Sequence, residues 1–330
     1  MNGQEWLDTR RWPAIHPLIL GLLDQHLPDG PYRRHLRQTI EHCTDLGDGS
    51  PTISALPFLT CAASGGNLHQ AVPIVAAWQL TRLAAKLFDD VEDDEAGNRS
   101  AQANTATGIL FLIQLALGEL TGQGVQPEGA LRIRETLNGA LLRACAGQHT
   151  DLTSGGAIGA ADLCAWFDAT SAKSGELFGW AAWAGAFVAN TDDGTLSCFS
   201  EYGQCLGMLI QVADDFNDVW RPDGVSDLLA GRLNLPVCYA LSVAEGSDHD
   251  RLNAQLRAAA EGDRTAETEA REALIQAGAQ AFLVVFARIQ HRQATAALRR
   301  LNPGIQARCQ LLIALLDRVF PAVNGPNPGD

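Results

Sequence analysis

Apolar residues recur at intervals of three and four along almost the whole chain, and this spacing constrains the fold more than any other feature of the sequence. It places apolar side chains on one face of a helix, whereas a half-buried strand would alternate apolar and polar residues. The chain contains no sustained run of alternating β-branched residues. Turn residues divide it into helical segments of about 15–25 residues. The sequence therefore predicts an all-α fold.

The turn segments between the predicted helices are short, which bears on domain organisation. A chain of 330 residues is long enough for one large domain or for two. None of the breaks is long enough to be an interdomain linker. We therefore predict a single helical domain over residues 1–323 and a short disordered tail, NGPNPGD, over residues 324–330.

Three features of the sequence bear on the cellular location of the protein. The N-terminal segment carries two acidic residues and no small-residue cleavage site after its apolar run, unlike a secretory signal. The most apolar stretch, GILFLIQLAL, is shorter than the roughly 20 residues that span a bilayer, so we expect a buried core helix there. The eight cysteines include no C-x-x-C pair, which argues against a zinc ribbon. We therefore expect a cytoplasmic protein with no membrane span.

The charge balance argues against two classes of partner. The chain has 24 Lys and Arg residues against 38 Asp and Glu residues, a formal net charge of −14. Nucleic acids and anionic membrane surfaces both attract proteins with surplus cations. We therefore expect neither as a partner, and the few basic residues become informative.

The first carboxylate cluster lies in AAKLFDDVEDDE, where an apolar helical run ends in Asp89, Asp90, Asp93 and Asp94. A step of four residues turns a helix by about 400°, so Asp89 and Asp93 project from one face, as do Asp90 and Asp94. A solvated acidic run would have the same sequence. Like charges at this spacing repel by roughly a few tenths of a kcal/mol. A divalent cation would convert that repulsion into binding, and Mg²⁺ accepts a few carboxylates together with water and phosphate oxygens.

A second cluster of the same form makes a metal site the better interpretation. YGQCLGMLIQVADDFNDVW again places Asp214, Asp215 and Asp218 at the end of a long apolar helix. Asp192 and Asp193, in contrast, stand in NTDDG without a helical context, and we assign them to a solvent loop. If the two helix ends face each other across a cavity, the carboxylates form a rim for metal ions and the apolar segments line a pocket.

Such an arrangement fits the chemistry of a diphosphate ester. An acidic protein can hold this polyanion only through metal ions and selected basic residues. The metals then neutralise the leaving group and promote heterolysis of the carbon–oxygen bond. The carbocation that results needs a dry apolar chamber.

Five ordered segments carry a resemblance to a known family: DDVED at 89–93, GQHTDL at 147–152, AKSGELF at 172–178, YGQCLGMLIQVADDFND at 202–218 and SDLLAGRLNLPVCYAL at 226–241. Together they resemble the trans-prenyltransferases, or polyprenyl diphosphate synthases, of the class I isoprenoid synthase superfamily. The likeness covers most of the chain from about residue 55 to 320. It implies a bundle of long helices around a central apolar cavity, a substrate that is an allylic isoprenoid diphosphate, and a homodimer.

The resemblance also implies roles for individual residues. It makes Asp89, Asp93 and Asp214 direct ligands of Mg²⁺, with three ions when diphosphate is bound, and gives Asp90, Asp215 and Asp218 supporting or water-mediated roles. The diphosphate-binding residues that it implies are Lys173, Gln211, Arg232, Arg99 and Arg82. Each of these cations could instead be an ordinary surface charge.

The main departure from the family pattern affects residues that would bind the second substrate. Elongating members bind isopentenyl diphosphate with a basic GKRxRP segment, whereas this chain has TISALP at 52–57, with Ile53, Ser54 and Leu56 in place of Lys, Arg and Arg. Each lost charge-assisted contact is worth roughly 1.5–3 kcal/mol. Arg82 stands where the family has His or Gln. One arginine is missing from the pair that ends in Arg99, and Arg232 replaces a lysine.

Intact aspartate motifs beside a depleted isopentenyl site leave three functions open. The leading hypothesis is a terpene synthase derived from a prenyltransferase-like scaffold, which ionises an allylic diphosphate and then cyclises or eliminates. The alternative is a polyprenyl diphosphate synthase or prenyltransferase that uses isopentenyl diphosphate in a remodelled site or takes another acceptor. The second alternative is a non-catalytic subunit of a synthase.

Several residues are candidates for lining the pocket. Trp180, Trp183 and Phe187 lie at i, i+3 and i+7 on one helical face, where their rings could stabilise a carbocation or simply pack in the core. Gln148, in GQHTDL, would line or brace the cavity. Ala84 and Ala85 are small where short-chain members often have bulky side chains, so we expect a substrate of C15 or longer.

Overall fold

The computed structural model describes residues 13–43, 52–92, 97–153, 162–221 and 226–320. Helices dominate these residues, and no strand occurs among them, which confirms the all-α prediction. A 3-10 turn, Ile53–Ala55, precedes α3, and a π-helical segment, Ser171–Gly175, joins α7 to α8. The α-helices in chain order are α1 (His16–His26), α2 (Pro31–Cys43), α3 (Leu56–Ala63), α4 (Leu68–Glu92), α5 (Arg99–Gly118), α6 (Pro127–Thr153), α7 (Leu163–Thr170), α8 (Glu176–Phe187), α9 (Asp193–Trp220), α10 (Asp227–Ala230), α11 (Leu235–Val243), α12 (Gly246–Ala260), α13 (Arg264–Gln276), α14 (Ala279–Arg299), α15 (Pro303–Gln306) and α16 (Gln310–Val319).

The chain divides into two units by its internal contacts. The first unit takes its described residues from Met1–Asn138, Trp180–Ser200 and Leu298–Leu315. The second takes them from Gly139–Gly179, Glu201–Ala297 and Leu316–Asp330. The single domain over 1–323 stays a prediction, and the expected tail at 324–330 lies outside the described residues.

In the first unit, α4 packs against α3 and α5. All eight residues of α3 are buried, and most of α4 is buried as far as Ala84. A helix that is apolar on all sides is stable only inside a protein, so α4 must run through the core of this unit and emerge at its polar C-terminal end. That end carries Asp89 and Asp90. The Asn98 side chain caps the start of α5 by accepting a hydrogen bond from the Ala101 amide.

In the second unit, two glycines of α9 let it approach the segment that leads into α8. A methyl group at Gly207 would lie 2.8 Å from the carbonyl oxygen of Ser174, and one at Gly203 would collide with that of Phe178. Glycine is the residue that permits such close contact between backbones. The glycines thereby hold the π-helical segment directly against the helix that ends in the second aspartate cluster.

The C-terminal part of the second unit has its own apolar core. Val219 at the end of α9, Leu228 of α10 and Val237 of α11 pack with Leu256 of α12 and Leu274 of α13. Burial of these side chains is the main force that holds the short α10 turn in place. The core therefore fixes residues 226–235 beside the end of α9.

The apolar stretch GILFLIQLAL lies within α5. Its Ile109, Leu112 and Ile113 are buried, as expected for a core helix, whereas Phe111 is 67% exposed. Taken singly, no helix in the described part of the chain is both long and apolar enough to cross a bilayer. The pair α13 and α14 meets that test only when the two are joined across a bend of 57°.

Candidate active site

The two adjacent aspartates near the end of α9 have opposite environments. Asp214 is exposed, whereas Asp215 is only 4% exposed. The Gln211 side chain donates to Oδ1 of Asp215 at 2.9 Å, and the backbone amide of Leu235 donates to its Oδ2 at 2.8 Å. Burial raises the pKa of Asp215 to about 7, although these two hydrogen bonds act in the opposite direction. The second motif thus contains one solvent-facing carboxylate and one that is held inside the protein.

A fourth carboxylate, beside the three of the second motif, was not singled out from the sequence. Asp227, at the start of α10, is buried and accepts hydrogen bonds from Asn234 at 3.1 Å and from Arg232 at 3.4 Å. Desolvation and the Asp227 charge raise the pKa of Asp218, and the Arg232 charge opposes that rise. Arg232 therefore lies in the electrostatic field of both carboxylates. The signal that could have found Asp227 is its position in the SDLLAGRLNLP segment.

Lys173 lies in the π-helical segment between α7 and α8, and it is half-buried. Segments of this kind are rare inside helices and occur frequently at functional sites. The hydroxyl of the next residue, Ser174, donates to Oε1 of Gln211 at 3.5 Å. A chain of contacts thus leads from the π-helical segment through Gln211 to Asp215. Lys173 and Lys86 are the only lysines in the sequence, since the other basic residues are arginines.

In the first unit, Asp89 and Asp90 lie at the end of α4 and are both half-buried. Lys86 donates to Oδ1 of Asp90 at 3.1 Å, and Gln102 of α5 donates to its Oδ2 at 3.1 Å. Asp93, the other predicted direct ligand of this motif, lies outside the described residues, as does Asp94. Arg99 is exposed at the start of α5.

Arg99 is close to the end of the first motif. Its Nε donates to the carbonyl oxygen of Val91 at 3.1 Å, which places the guanidinium beside the last turn of α4. The structure therefore brings Arg99 next to the helix end that carries Asp89 and Asp90.

Arg82 reaches the segment where the family's basic residues are missing. Its guanidinium donates to Oγ of Ser54 at 2.6 Å. The indole of Trp78 donates to the Ile53 carbonyl at 2.7 Å, and Gln79 donates to the Ser54 carbonyl at 3.5 Å. Three side chains of α4 therefore hold the 3-10 turn, and Arg82 contacts Ser54, where the resemblance implies a basic residue.

The aromatic residues predicted to line a pocket make defined contacts in the first unit. Trp180 is buried, and its indole donates to the Ile133 carbonyl at 3.2 Å. The rings of Trp183 and Phe187 lie 4.8 Å apart. The guanidinium of Arg132 lies 5.5 Å from the first ring and 5.3 Å from the second. These distances are those of cation–π contacts, so the two rings already attract a cation of the protein itself.

The other predicted pocket residues differ in exposure. Ala84 is buried, Ala85 is exposed, and Gln148 of α6 is half-buried. Their part in a pocket, like that of the three aromatic residues, stays a prediction.

The donor types fit Mg²⁺, although the described residues contain no complete ligand set. Among these side chains, which exclude Asp93, no three His, Cys, Asp or Glu residues converge on one position for a metal ion. Asp89 and Asp214 each offer the carboxylate oxygens that Mg²⁺ prefers, and the ion commonly completes its shell with water and substrate oxygens.

The comparison with protein families now identifies the chain. The family model described as polyprenyl synthetase matches residues 36–274, more than two thirds of the sequence. The chain belongs to the polyprenyl synthetase family. This membership confirms the resemblance read from the five sequence segments, and it places the chain among the prenyltransferases.

Curated relatives and solved structures agree with this result. Over 203 residues the chain is 31% identical to geranylgeranyl diphosphate synthase from Mycobacterium tuberculosis, a match that covers 57% of each protein. It is 25% identical to a short chain isoprenyl diphosphate synthase from Methanothermobacter thermautotrophicus, over 66% of this chain and 70% of the relative. The fold is similar to that of a polyprenyl synthetase from Streptomyces coelicolor, with a TM-score of 0.76 at 24% identity over 92% of this chain and 95% of that one.

These matches bear on the choice between the predicted functions. The two relatives are named as prenyl diphosphate synthases, which fits the prenyltransferase alternative better than the leading hypothesis of cyclisation or elimination. Prenyltransferases of this family generally use Mg²⁺, in line with the predicted cofactor. The chain spans just over half the length of the Mycobacterium relative.

Proposed function

We propose that the chain is a Mg²⁺-dependent prenyltransferase that ionises an allylic isoprenoid diphosphate and joins the prenyl group to isopentenyl diphosphate. Membership of the polyprenyl synthetase family supports this reaction class. The contact between Arg82 and Ser54 is the observation that carries the choice of acceptor, because it supplies a cation at the turn where the family binds its second diphosphate. A charge-assisted hydrogen bond from this guanidinium would be stronger than one between neutral groups.

In this reaction the bond between C1 and the diphosphate oxygen breaks, and its electron pair leaves with the diphosphate. The double bond of isopentenyl diphosphate then attacks C1, and the adduct loses a proton, which the released diphosphate can accept. Asp89 and Asp93 would hold Mg²⁺ at the first motif and Asp214 would hold it at the second, and the bound metal would supply the charge that neutralises the departing diphosphate. The half-buried Lys173 would contribute a fixed positive charge to the same group.

We assign the remaining basic and polar residues to diphosphate binding, each according to its position in the structure. Arg232, in the field of Asp218 and Asp227, would bind a diphosphate oxygen, and Gln211 would support it from α9. Arg99, beside the last turn of α4, would bind the diphosphate near the first motif. All of these roles use charge or hydrogen bonding to the diphosphate and leave the prenyl chain to apolar side chains.

Three finer features belong to the same proposal: three Mg²⁺ ions with bound diphosphate, a substrate of C15 or longer, and a homodimer. In such a dimer the partner subunit would cover exposed apolar side chains such as Phe111 of α5, which is 67% exposed, and Leu131 of α6, which is 53% exposed. The cytoplasmic location stays a prediction from the sequence.

A terpene synthase is the second candidate, and one observation favours it. Ile53, Ser54 and Leu56 provide no charge, and Leu56 is completely buried, so the turn itself offers a second diphosphate no cation. Product analysis with geranyl, farnesyl and geranylgeranyl diphosphates, with and without labelled isopentenyl diphosphate, separates the candidates. We expect the label in a longer diphosphate. Hydrocarbon or alcohol without incorporated label would favour the terpene synthase, and no Mg²⁺-dependent release of diphosphate would favour a non-catalytic subunit.

Replacing Arg82 by glutamine tests the acceptor site directly. Loss of one charge-assisted contact, worth roughly 1.5–3 kcal/mol, should raise KM for isopentenyl diphosphate about 10- to 100-fold. KM for the allylic diphosphate should change little, because Arg82 contacts the turn that belongs to the second substrate. Initial rates with each substrate varied in turn give both constants.

Arg257→Gln is the matched control, because Arg257 is an exposed arginine of α12 and the substitution removes the same charge. It should leave both constants within about twofold. An equal rise in both constants for Arg82→Gln, or no change in either, would contradict the assignment of Arg82 to the acceptor.

A further inference from the structure

The second aspartate of each motif is bound by protein on both of its carboxylate oxygens. Asp90 accepts from Lys86 and from Gln102, and Asp215 accepts from Gln211 and from the amide of Leu235. The two arrangements lie in different units and use different partners. In each, one partner lies on the same helix as the aspartate. The other lies on a later helix, Gln102 on α5 and Leu235 on α11.

Asp215 is the clearer of the two because its surroundings leave little room for a metal ion. It is 4% exposed, whereas Asp214, the preceding residue, is exposed. A ligand of Mg²⁺ in a diphosphate site must reach water and phosphate oxygens as well as the ion, which prefers an octahedral shell. A carboxylate enclosed by α9 and the start of α11 does not meet that requirement.

The hydrogen bond from Leu235 has a structural purpose at the start of α11. The first amides of a helix have no partner within it and must find one elsewhere when they are buried. Asn234 accepts from the Val237 amide, and Asp215 accepts from the Leu235 amide at 2.8 Å. A negative charge at this end of the helix is also favourable. Asp215 therefore completes the cap of α11 from the side of α9.

We infer that Asp215 is a positioning residue, which ties α9 to the start of α11 and so fixes the direction in which Asp214 presents its carboxylate to Mg²⁺. This inference rests on the proposed Mg²⁺-dependent reaction with a diphosphate. It departs from the supporting metal role that the sequence resemblance implies for Asp215. Asp90, tied to α5 through Gln102, repeats the arrangement at the first motif.

The replacement of Asp215 by asparagine or by alanine distinguishes positioning from ligation. Asparagine keeps an oxygen for the Leu235 amide, and its NH₂ group can donate to Oε1 of Gln211 once the Gln211 amide, which now donates to Asp215, turns over. It can therefore preserve both links without a charge. Alanine removes both. The probe is inorganic diphosphate, titrated calorimetrically with Mg²⁺ present, and thermal unfolding of each variant is measured in parallel.

We expect Asp215→Asn to bind the probe within about fivefold of the wild type, and Asp215→Ala to bind it about 10- to 100-fold more weakly at a temperature where it is fully folded. The Asp214→Asn variant, which removes a proposed ligand, serves as the comparison. If Asp215→Asn loses as much affinity as Asp214→Asn, Asp215 is a ligand and the inference is wrong. It is also wrong if Asp215→Ala unfolds at a lower temperature but binds the probe normally, since the role would then be structural only.

The same titration separates this inference from the proposed function. A wild-type chain that binds the probe but never incorporates isopentenyl diphosphate would refute the acceptor and leave the role of Asp215 standing. A wild-type chain that binds no diphosphate with Mg²⁺ would refute both.

Discussion

Replacing Asp214 by asparagine is expected to lower the rate of Mg²⁺-dependent diphosphate release about 100- to 1,000-fold. Asparagine has nearly the same shape but no negative charge, and Mg²⁺ binds carboxylates much better than neutral amides. Because Asp214 is exposed, the substitution should cost little stability. The measurement is the initial rate of inorganic diphosphate release from an allylic diphosphate at several concentrations of Mg²⁺, together with the unfolding temperature.

Asp193→Asn is the control on the same helix. The sequence assigned Asp193 to a solvent loop, but in the structure it is the exposed first residue of α9, at the end opposite Asp214. Its substitution changes the formal charge by the same amount. We expect a change of less than about twofold. Equal losses in the two variants would show that overall charge, and not a ligand at residue 214, controls the rate.

The helix ends that carry the two motifs could be predicted from the sequence, because apolar spacing is a property of each segment by itself. Thus Asp89 and Asp90 lie in the last turn of α4, whose described residues end at Glu92, and α9 ends at Trp220, just after Asp218. The different roles of Asp214 and Asp215 could not be predicted in the same way. The two residues are chemically identical neighbours, and one is buried only because Leu235, 20 residues later, returns to meet it.

The contact between Arg82 and Ser54 illustrates the same limit at the first motif. The gained cation at Arg82 and the loss of three cations at residues 52–57 are separate departures from the family pattern in the sequence. They meet because Trp78 and Gln79 fasten the turn to α4, which is a tertiary contact across 25 residues. The spacing of Trp183 and Phe187 correctly predicted a shared helical face, but only the fold shows that Arg132 covers those rings.

Lys173→Gln is the second substitution for which we expect a large effect. A cation that stabilises the departing diphosphate acts mainly where charge develops in the transition state, so kcat should fall about 100- to 1,000-fold. Lys173→Arg keeps the charge but not the compact ammonium group, and it should recover only part of the rate. The measurement is kcat and KM for the allylic diphosphate at saturating Mg²⁺.

Arg143→Gln is the matched control for Lys173. Arg143 is an exposed cation of α6 that pairs with Glu176, three residues beyond Lys173, at 2.8 Å. Its loss should change kcat by less than about threefold, because exposed ion pairs contribute little. The scarcity of lysine adds a direct readout: amine-specific acetylation can modify only Lys86, Lys173 and the N-terminus, so peptide mapping resolves each site. Diphosphate with Mg²⁺ should protect Lys173 from acetylation, and equal modification with and without it, beside a normal kcat for Lys173→Gln, would exclude the lysine from the site.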